Sequence, residues 1–472
     1  MMDGEQERDL ASARAWIASR QDFFDARRPV LIARAPGRLD VMGGIADYSG
    51  SLVLELPLAV ATWVAVQAQE RAELVIESAG AGGGRVTLPL EEIVPAPPLS
   101  YAEARARLTS DPVAAWTAYV AGALVVMQRE YDRPLRTGAR VLVRSDVPIG
   151  KGVGSSAALE VAAFEALAAL AGATLDDLAL ALAAQRVENL IVGAPCGVMD
   201  QVTAACGRRG ELTRIFCQPA HLMPPLDVPQ GLELYGIDSG IRHAVSGSDY
   251  GSVRAAAFMG YRIVADAAGL TARVIAPGRV AIDDVPGFGG YLVNVWIGDW
   301  RGRYRDAVPE RMTGREFLAR FGGSTDTATT IEEDRTYPVR AAAEFPILEN
   351  DRARVFASRL EPSASRGWVR ETLGDLMYQS HAGYSACGLG SDGTDHLVEL
   401  CRAAGPAAGI YGAKITGGGS GGTVAVLAKA GSRPAIEEIA RAYRQESGRD
   451  AQIFAGSSSG SRAFGVRTLE PG

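Results

Sequence analysis

A glycine-rich loop directly before an alanine-rich segment limits what this chain can fold into more than any other stretch. The loop runs from Pro148 to Ala158, and the residues Leu159 to Leu170 that follow it are predicted to form a helix. Its alternating glycines are Gly150, Gly152 and Gly154. Glycine adopts positive φ at little steric cost, and a helix N-terminus offers free N–H groups to an anion. The pattern indicates a phosphate-binding loop, although glycine-rich runs also form ordinary turns.

Length and composition indicate a soluble two-domain protein. Of its 472 residues 47% are hydrophobic and 22% charged, values that exclude a disordered or fibrous chain. The net charge of −7 argues against nucleic acid as a partner, because phosphate backbones select clustered Lys and Arg. Acidic residues interrupt the most apolar region, Ala157 to Ala184, so no membrane span is predicted. Five cysteines without a C-x-x-C pair, and an N-terminus without a signal-sequence pattern, favour the cytoplasm.

The order of predicted elements places a domain boundary near the middle of the chain. An N-terminal sheet is expected to begin with a short strand from Val30 to Pro36. Further on, four prolines precede a strand that starts at Leu232 and opens the second half. We therefore assign residues 1–228 to an N-terminal domain and residues 229–472 to a C-terminal domain.

The C-terminal domain contains one segment of unusual composition. Residues Pro277 to Glu349 are rich in Gly, Arg, Asp and aromatic side chains, and they are predicted to form a surface excursion. Within it, Thr313 and Gly322 are suitable caps for a helix from Arg315 to Phe321. The residues beyond Val466 are predicted to be a loose tail.

A second glycine-rich run, Lys414 to Leu427, ends in a predicted strand of the C-terminal domain. Ser420 and Thr423 stand among its glycines, as Ser155 and Ser156 follow those of the first loop. Successive backbone N–H groups in such loops form concave anion sites. If the two loops converge, they would enclose a triphosphate. The two loops together therefore favour phosphate binding more strongly than either loop alone.

Three motifs stand in a recognisable order: Ala35-Pro36-Gly37-Arg38 continuing to Gly50, the loop from Pro148 to Ala158, and Lys414 to Gly422. The run Cys196-Gly197-Val198-Met199-Asp200-Gln201 lies between the second and the third. Together they resemble the GHMP small-molecule kinases and, within them, the galactokinase branch, over almost the whole chain. The resemblance implies a two-domain α+β fold, with an N-terminal sheet-and-helix domain and a ferredoxin-like C-terminal domain. It places the active site in the cleft between them and implies ATP, Mg²⁺ and a small-molecule sugar.

The resemblance assigns ATP to the two glycine-rich loops. Trp116 is a candidate to flank the adenine ring, although it also fits the apolar core face of a predicted helix. Magnesium is assigned to Glu188 and to Ser155 or Ser156, of which Ser156 matches the family's last loop serine. Glu188 stands among apolar neighbours, where a lone carboxylate is costly unless it is paired or bound to a cation. The implied ATP-binding residues are Gly150, Gly152, Gly154, Ser155, Ser156, Ala157, Trp116, Gly418 and Gly419.

Asp200 and Arg38 are implied to carry the chemistry. Asp200 would be the base near the anomeric hydroxyl of the sugar, although the sequence leaves open whether it takes the proton or only orients the hydroxyl. Arg38 would keep that carboxylate ionised and offset charge developing on the transferred phosphate. Few further side chains are needed, because phosphoryl transfer depends mainly on positioning and charge neutralisation.

The first motif departs from the galactokinase pattern where the sugar is held. Galactokinases have Glu, His and Thr where this chain has Gly44, Ile45 and Ala46, whereas Asp47 is kept. In the family that Glu and His hold the C6 hydroxyl of galactose. L-Arabinopyranose has the same ring stereochemistry without the C6 group, so the change predicts L-arabinose as substrate, and the motif resembles the kinase part of plant L-arabinokinases. The implied sugar contacts are Asp47, Gly44, Ile45, Gly197 and Tyr250.

Two other functions stay open at this level. A galactokinase of relaxed specificity would hold C6 through other residues and act on D-galactose. A catalytically silent sugar sensor would act through a protein partner, but it predicts a damaged phosphate loop or a missing base. This chain keeps Ser155, Ser156, Glu188 and Asp200, which favours an enzyme. No pattern in the sequence predicts an oligomeric state.

Overall fold

The computed structural model describes residues 4–20, 22–78, 84–242, 248–283, 287–360 and 367–470. The predicted excursion and the predicted tail each include a few residues outside these ranges, namely 284–286 and 471–472. Within the described ranges, no helix combines the length and the apolar character that a membrane crossing requires.

The strands of the described residues form two main sheets and two small ones. The strands are β1 (Val30–Met42), β2 (Leu52–Gln69), β3 (Glu73–Ser78), β4 (Val86–Pro89), β5 (Gly138–Ser145), β6 (Glu211–Phe216), β7 (His221–Asp227), β8 (Leu232–Asp238), β9 (Ala272–Ala276), β10 (Gly278–Ile282), β11 (Met312–Thr313), β12 (Gly323–Ser324), β13 (Thr336–Tyr337), β14 (Ile410–Ile415), β15 (Thr423–Lys429), β16 (Ile453–Ala455) and β17 (Arg467–Leu469).

Helices cover the faces of these sheets. The α-helices are α1 (Gly4–Ala18), α2 (Leu90–Ile93), α3 (Tyr101–Leu108), α4 (Ala118–Tyr131), α5 (Ser155–Leu170), α6 (Asp177–Arg186), α7 (Met199–Cys206), α8 (Ser248–Ala267), α9 (Ile297–Asp299), α10 (Gly314–Phe321), α11 (Val339–Leu360), α12 (Gly367–Ala386), α13 (Asp392–Ala404), α14 (Arg433–Ser447) and α15 (Ser461–Phe464). Short 3₁₀ turns cover Gly44–Ser49, Ala115–Thr117, Leu292–Asn294 and Pro406–Ala408, and π-helical turns cover Val187–Val192 and Trp300–Tyr304.

The largest sheet has eight strands and belongs mostly to the N-terminal half. Its order is β17-β1-β2-β5-β3-β4, and β6 joins it by pairing with the start of β2 and with β7. The pair β3 and β5 is parallel, and the other pairs are antiparallel. The long β2 is apolar along most of its length, as expected for a strand covered on both faces.

Helix α5 lies against β1 and β2 in the middle of this half. It consists largely of alanine, which has the highest helix propensity and a side chain small enough for close packing on a sheet. The helix begins at Ser155, four residues earlier than the sequence pattern predicts, and ends at Leu170 as predicted. Its N-terminus therefore emerges directly from the first glycine-rich loop.

Strand β1 carries part of the first motif, because it extends to Met42 and does not end at Pro36 as predicted. Its register with β2 shifts between Pro36 and Arg38 and again between Asp40 and Met42. Such bulges re-aim side chains without ending the strand. They place Arg38 and Asp40 on a rigid sheet element beside the first glycine-rich loop, where the Arg38 N–H donates to the Val153 carbonyl at 2.9 Å.

The second main sheet is antiparallel, with the order β14-β15-β8-β16. Helices α12 and α13 pack on β14, and α13 also packs on α14. The predicted α+β architecture is confirmed by this pair of sheet-and-helix layers, whereas the boundary at residues 228 and 229 stays a prediction. Strand β17 crosses that division, because Arg467–Leu469 pairs with Val30–Ile32 of the first sheet. The predicted loose tail is therefore wrong for these three residues.

The segment 277–349 differs from the expected surface excursion. Its side chains form much of a separate apolar core with α8 and α12, in which Trp300 and Phe317 are 0% exposed. The predicted helix is present as α10, and Thr313 and Gly322 cap it as predicted. The following helix α11 reaches the first motif, since the Glu349 carboxylate accepts the Gly43 N–H at 3.0 Å. The segment is thus a structural support of the turn at residues 44–49.

Candidate active site

The first glycine-rich loop, Pro148 to Ala158, leads directly into the N-terminus of α5, and the two together form the candidate phosphate cradle. Gly150, Gly152 and Gly154 have φ of 73°, 68° and 73°, a region that disfavours other residues. Gly154 caps the helix without any side-chain hydrogen bond to the first turn. The leading N–H groups of a 16-residue helix are therefore not used by a side-chain cap, and they are suited to phosphate oxygens. Ser155, Ser156 and Ala157 form this first turn.

The second glycine-rich loop lies directly against the first. The Thr423 hydroxyl donates to the Lys151 carbonyl at 2.8 Å. A Cβ on Gly417 would stand 2.7 Å from the Gly152 carbonyl oxygen, and one on Gly422 would stand 2.8 Å from that of Lys151. Glycine is required at both positions because the two backbones touch. Gly418 is half-buried, and Gly419 has φ of 78° next to Leu389.

Arg38 and Asp200 form a bidentate ion pair beside the cradle. The Arg38 Nε and Nη2 donate to the two Asp200 carboxylate oxygens at 2.8 and 2.7 Å, and Nη1 donates to the Gly152 carbonyl at 2.5 Å. Only 4% of the Arg38 side chain is exposed, compared with 19% for Asp200, which lies in the first turn of α7. A fixed guanidinium thus holds a partly accessible carboxylate next to Gly154, where a Cβ would be 3.6 Å from Asp200 Oδ2.

A pair of buried carboxyl groups lies behind the loop serines. The Gln201 amide donates to Glu160 at 3.1 Å and to Glu188 at 2.6 Å, and Ser156 hydrogen-bonds to Glu188. Burial raises the pKa of both acids, most strongly that of Glu160. The hydrogen bond between the two carboxyl groups raises the pKa of Glu160 further and lowers that of Glu188. We infer that the two carboxyl groups share one proton, because two buried acids in hydrogen-bond contact do not both ionise.

The donor set at Glu188 suits a hard cation. A carboxylate and a serine hydroxyl are oxygen ligands of the kind that Mg²⁺ prefers, and Mg²⁺ commonly takes its other ligands from water and substrate phosphates. Among the described residues no group of three or more His, Cys, Asp or Glu side chains could hold a metal on its own. Ser156 and Glu188 would therefore bind the ion together with phosphate oxygens in the adjoining cradle.

The turn at residues 44–49 carries Asp47 to the edge of a cavity of about 410 Å³. Asp47 accepts the Tyr48 N–H at 2.6 Å and a second backbone bond from Met199. Gly197 packs on the Asp47 carboxylate so closely that a Cβ would stand 1.5 Å from Oδ2. The Tyr250 ring meets the Tyr48 ring edge to face at 5.9 Å between centroids. The cavity lining includes Asp47, Gly197, Asn189, Cys217, Arg254 and Tyr291.

Gly44 and Ile45 belong to the same turn but are not part of that cavity lining, so their contact with a sugar stays a prediction. Ile45 is 2% exposed within the apolar core shared with α8, α12 and the segment 277–349. Gly44 has φ of 48°, and its Cβ position is filled by the hydroxyl of Tyr384, 1.9 Å away. No side chain can therefore extend from residue 44 while Tyr384 keeps this position.

The structure brings most of the predicted site residues together. The residues around the first loop, Arg38, Asp200 and Glu188 are linked by the contacts above, and Asp47 is joined to the same region through Gly197 and Met199. Trp116 packs half-buried against the N-terminal core, so its contact with adenine stays a prediction.

Sequence reasoning gave no role in the site to several residues that shape this region. Glu160 follows Ser156 by four positions on one helix, so the i, i+4 spacing offered a signal. Arg254 forms a buried ion pair with Asp326 at 2.8 Å, but 72 residues separate the two and no local pattern connects them. Tyr384 lies 340 positions after Gly44 and carries no signal in a single sequence.

The raised pKa of Asp47 predicts how the free energy of unfolding depends on pH. Burial, and next to it the charge of Asp200, raises the pKa of Asp47 from 3.8 to about 7. The folded protein then binds more protons than the unfolded chain between about pH 4 and 7, so the free energy of unfolding falls as pH rises through this window. We expect Asp47→Asn to remove part of that fall in urea titrations. The exposed Asp227→Asn should keep it, and identical pH slopes in wild type and Asp47→Asn would contradict the assignment.

Three family descriptions match separate parts of this chain. The description "GHMP kinases N terminal domain" matches residues 118–208, and "GHMP kinases C terminal" matches residues 369–450. The description "Galactokinase galactose-binding signature" matches residues 21–68, which contain Arg38 and Asp47. The fold and the site thus define a two-domain small-molecule kinase of the GHMP class.

Curated relatives narrow this class. A galactokinase of Chloroflexus aggregans is 30% identical, and the match covers 86% of each chain. An L-arabinokinase of Arabidopsis thaliana is 38% identical over 98% of this chain, which spans about half (49%) of that longer protein. The solved galactokinase of Lactococcus lactis shares the fold, with a TM-score of 0.70 at 18% identity, covering 95% of this chain and 99% of its own. The chain belongs to the galactokinase branch of the GHMP kinase family.

Proposed function

We propose that this protein transfers the γ-phosphoryl group of ATP to the anomeric hydroxyl of L-arabinose, giving L-arabinose 1-phosphate and ADP. The observation that carries the transfer is the position of the Asp200 carboxylate. It is fixed at 2.7 and 2.8 Å by a buried Arg38, beside the uncapped N-terminus of α5. A carboxylate that meets an acceptor hydroxyl and a cradle that meets phosphates then stand next to each other, which is the arrangement that phosphoryl transfer needs.

The two glycine-rich loops would hold the triphosphate of ATP. Backbone N–H groups at the start of α5 and in the second loop would supply the donors, and the contacts between the loops hold the two backbones next to each other. Ser156 and Glu188 would hold Mg²⁺. When bound, this ion neutralises charge that develops on the transferred phosphate.

Asp200 would receive the anomeric hydroxyl, and Arg38 would act through it. The Arg38 guanidinium favours the ionised carboxylate, which can accept a hydrogen bond from the hydroxyl and take its proton as the bond to phosphorus forms. Arg38 also donates to the Gly152 carbonyl of the first glycine-rich loop. The positive charge of its guanidinium would therefore lie close to the phosphoryl group that is transferred. Glu160 and Glu188, one of them neutral, keep the region behind the serines from carrying two adjacent negative charges.

The choice of L-arabinose rests on the turn that carries Asp47. Positions 44 and 45 have no polar side chain, and the Tyr384 hydroxyl that fills the space at residue 44 donates to the Gly417 carbonyl at 2.8 Å. No donor from these positions is left for a hydroxymethyl group, whereas Asp47 remains for ring hydroxyls. A galactose site built with polar C6 partners would reject a sugar that leaves them unpaired. The similarity to the Arabidopsis L-arabinokinase supports the same substrate.

A coupled assay of ADP release tests this function. Purified protein with MgATP is given L-arabinose, D-galactose, D-fucose or D-galacturonate, and initial rates are compared. We expect the highest kcat/KM with L-arabinose and weaker turnover of D-galactose, since a site without polar C6 partners at positions 44 and 45 excludes an extra hydroxymethyl group only weakly. Efficient turnover of D-galactose with none of L-arabinose would make the protein a galactokinase. No turnover with any sugar would favour the silent sensor.

The five free thiols agree with a cytoplasmic setting.

Gly197→Ala makes a specific prediction about sugar binding. The added Cβ would stand 1.5 Å from Asp47 Oδ2, so the carboxylate must leave its position. We expect the KM for the sugar to rise at least about tenfold, the scale of one lost charged hydrogen bond, while the KM for ATP stays within about twofold. Gly298→Ala is the matched control, because a Cβ there meets no atom within 4 Å. An unchanged sugar KM in Gly197→Ala would remove Asp47 from the sugar site.

A further inference from the structure

The hydroxyl of Tyr384 joins three parts of the active site that are distant in sequence. It accepts the Ile45 N–H at 3.1 Å, donates to the Gly417 carbonyl at 2.8 Å, and lies 3.5 Å from Asp40 Oδ2. Ile45 belongs to the turn that carries Asp47, and Gly417 belongs to the second glycine-rich loop. One atom on helix α12 is therefore bonded to both the sugar side and the phosphate side of the site.

The Tyr384 ring has little freedom to move from this position. The side chain is 0% exposed, the Phe345 ring packs edge to face at 5.2 Å, and the Lys414 ammonium lies 5.3 Å from the ring centre. Gly44 is seated against the hydroxyl, since a Cβ there would stand 1.9 Å from it. A shift of the Gly417 backbone thus displaces the hydroxyl or breaks its bond, and the turn at residues 44–49 must respond.

We propose that Tyr384 is a positioning residue that couples occupancy of the second glycine-rich loop to the shape of the sugar-binding turn. This inference rests on the proposed function, because it takes the loop as a nucleotide contact and the turn as a sugar contact. Nucleotide in the loop fixes the Gly417 carbonyl, the carbonyl fixes the Tyr384 hydroxyl, and the hydroxyl fixes the Ile45 amide two residues before Asp47. Sugar and nucleotide then bind with positive cooperativity, which is reciprocal between the two ligands.

Calorimetric titration of sugar tests this coupling. Binding is measured without and with saturating AMP-PNP and magnesium, using whichever sugar of the panel the wild type phosphorylates, so that a different substrate leaves the test intact. We expect AMP-PNP to tighten sugar binding at least about fivefold in the wild type, the lower end for coupled sites. Tyr384→Phe, which loses only the hydroxyl, should reduce this factor to less than about twofold.

Tyr337→Phe is the matched control. Its ring is 1% exposed in the same apolar core, and its hydroxyl accepts the N–H of Glu332, a residue of neither glycine-rich loop, at 2.9 Å. A general loss of a buried hydrogen bond affects both variants, whereas loss of coupling affects only Tyr384→Phe. Full coupling in Tyr384→Phe, or equal loss in both variants, would overturn the proposal, and so would a wild type without coupling.

A measurement on the wild type keeps the proposal testable if Tyr384→Phe does not fold. Hydrogen–deuterium exchange of the peptide that covers residues 44–49 is followed with and without AMP-PNP and magnesium, in the absence of sugar. We expect the nucleotide to slow exchange at Ile45 severalfold. Exchange unchanged by a saturating nucleotide would overturn the proposal, whereas failure of the proposed function appears separately as a wild type that turns over no sugar.

Discussion

Replacing Asp200 by Asn should lower kcat at least about a hundredfold, because the variant cannot take a proton from the acceptor hydroxyl. Asn keeps the shape of the side chain and one oxygen acceptor for Arg38, so the cradle should stay in place. The KM for ATP is expected to remain within about threefold of wild type. Single-turnover measurements with saturating ATP and sugar separate this loss of chemistry from a loss of binding.

Asp392→Asn is the control for this variant. Asp392 also stands in the first turn of a helix, α13, and accepts a hydrogen bond from an arginine, Arg449, at 2.9 Å, but its side chain is 73% exposed, compared with 19% for Asp200. We expect full activity in Asp392→Asn. If turnover in Asp200→Asn equals that of the control, Asp200 does not act on the hydroxyl.

Replacing Lys414 by Met should lower the free energy of unfolding by about 3–5 kcal/mol, the usual cost of removing one partner of a buried ion pair. The Lys414 ammonium lies 2.5 Å from Asp40 Oδ2, and both side chains are 0% exposed. Without the lysine, Asp40 keeps the Gly44 N–H at 3.0 Å but has no cation in contact with its other oxygen. Urea unfolding monitored by circular dichroism gives the size of the loss.

Two further variants make this stability prediction specific. Lys429→Met changes an exposed lysine at the end of β15 and should alter stability by no more than about 0.5 kcal/mol. Asp40→Asn combined with Lys414→Met removes both charges and should recover part of the loss. A loss below about 1 kcal/mol in Lys414→Met alone would show that the pair is not buried as described.

The parts of the fold that could be predicted from the sequence are those determined by residues close together in the chain. Helix α10 appears between Thr313 and Gly322 because a capping box and a C-terminal glycine act over a few residues. The first loop appears because alternating glycines and an alanine-rich helix are adjacent in the chain. Strand β1 was predicted too short because a Pro-Gly pair usually ends a strand, whereas here a bulge absorbs it.

The parts that sequence missed depend on contacts between distant segments. β17 pairs with β1 across more than four hundred residues, and the composition of 467–469 does not mark it as a strand. The segment 277–349 reads as polar surface because Arg and Asp are frequent in it, yet its aromatic residues meet α8 and α12 and form a core. Tyr384 could not be predicted for the same reason. Its role depends on its hydroxyl filling the Cβ position of Gly44, and the residues next to Tyr384 in the sequence do not indicate this contact.

Nuclear magnetic resonance of the reaction product tests the central claim most directly. L-Arabinose, ATP and magnesium are incubated with the wild-type protein, and the product is examined by ³¹P and ¹H spectra. We predict a sugar phosphate whose anomeric proton couples to phosphorus, formed in equal amount with ADP. A phosphate attached to another carbon, or ATP consumed without any sugar phosphate, would contradict the account.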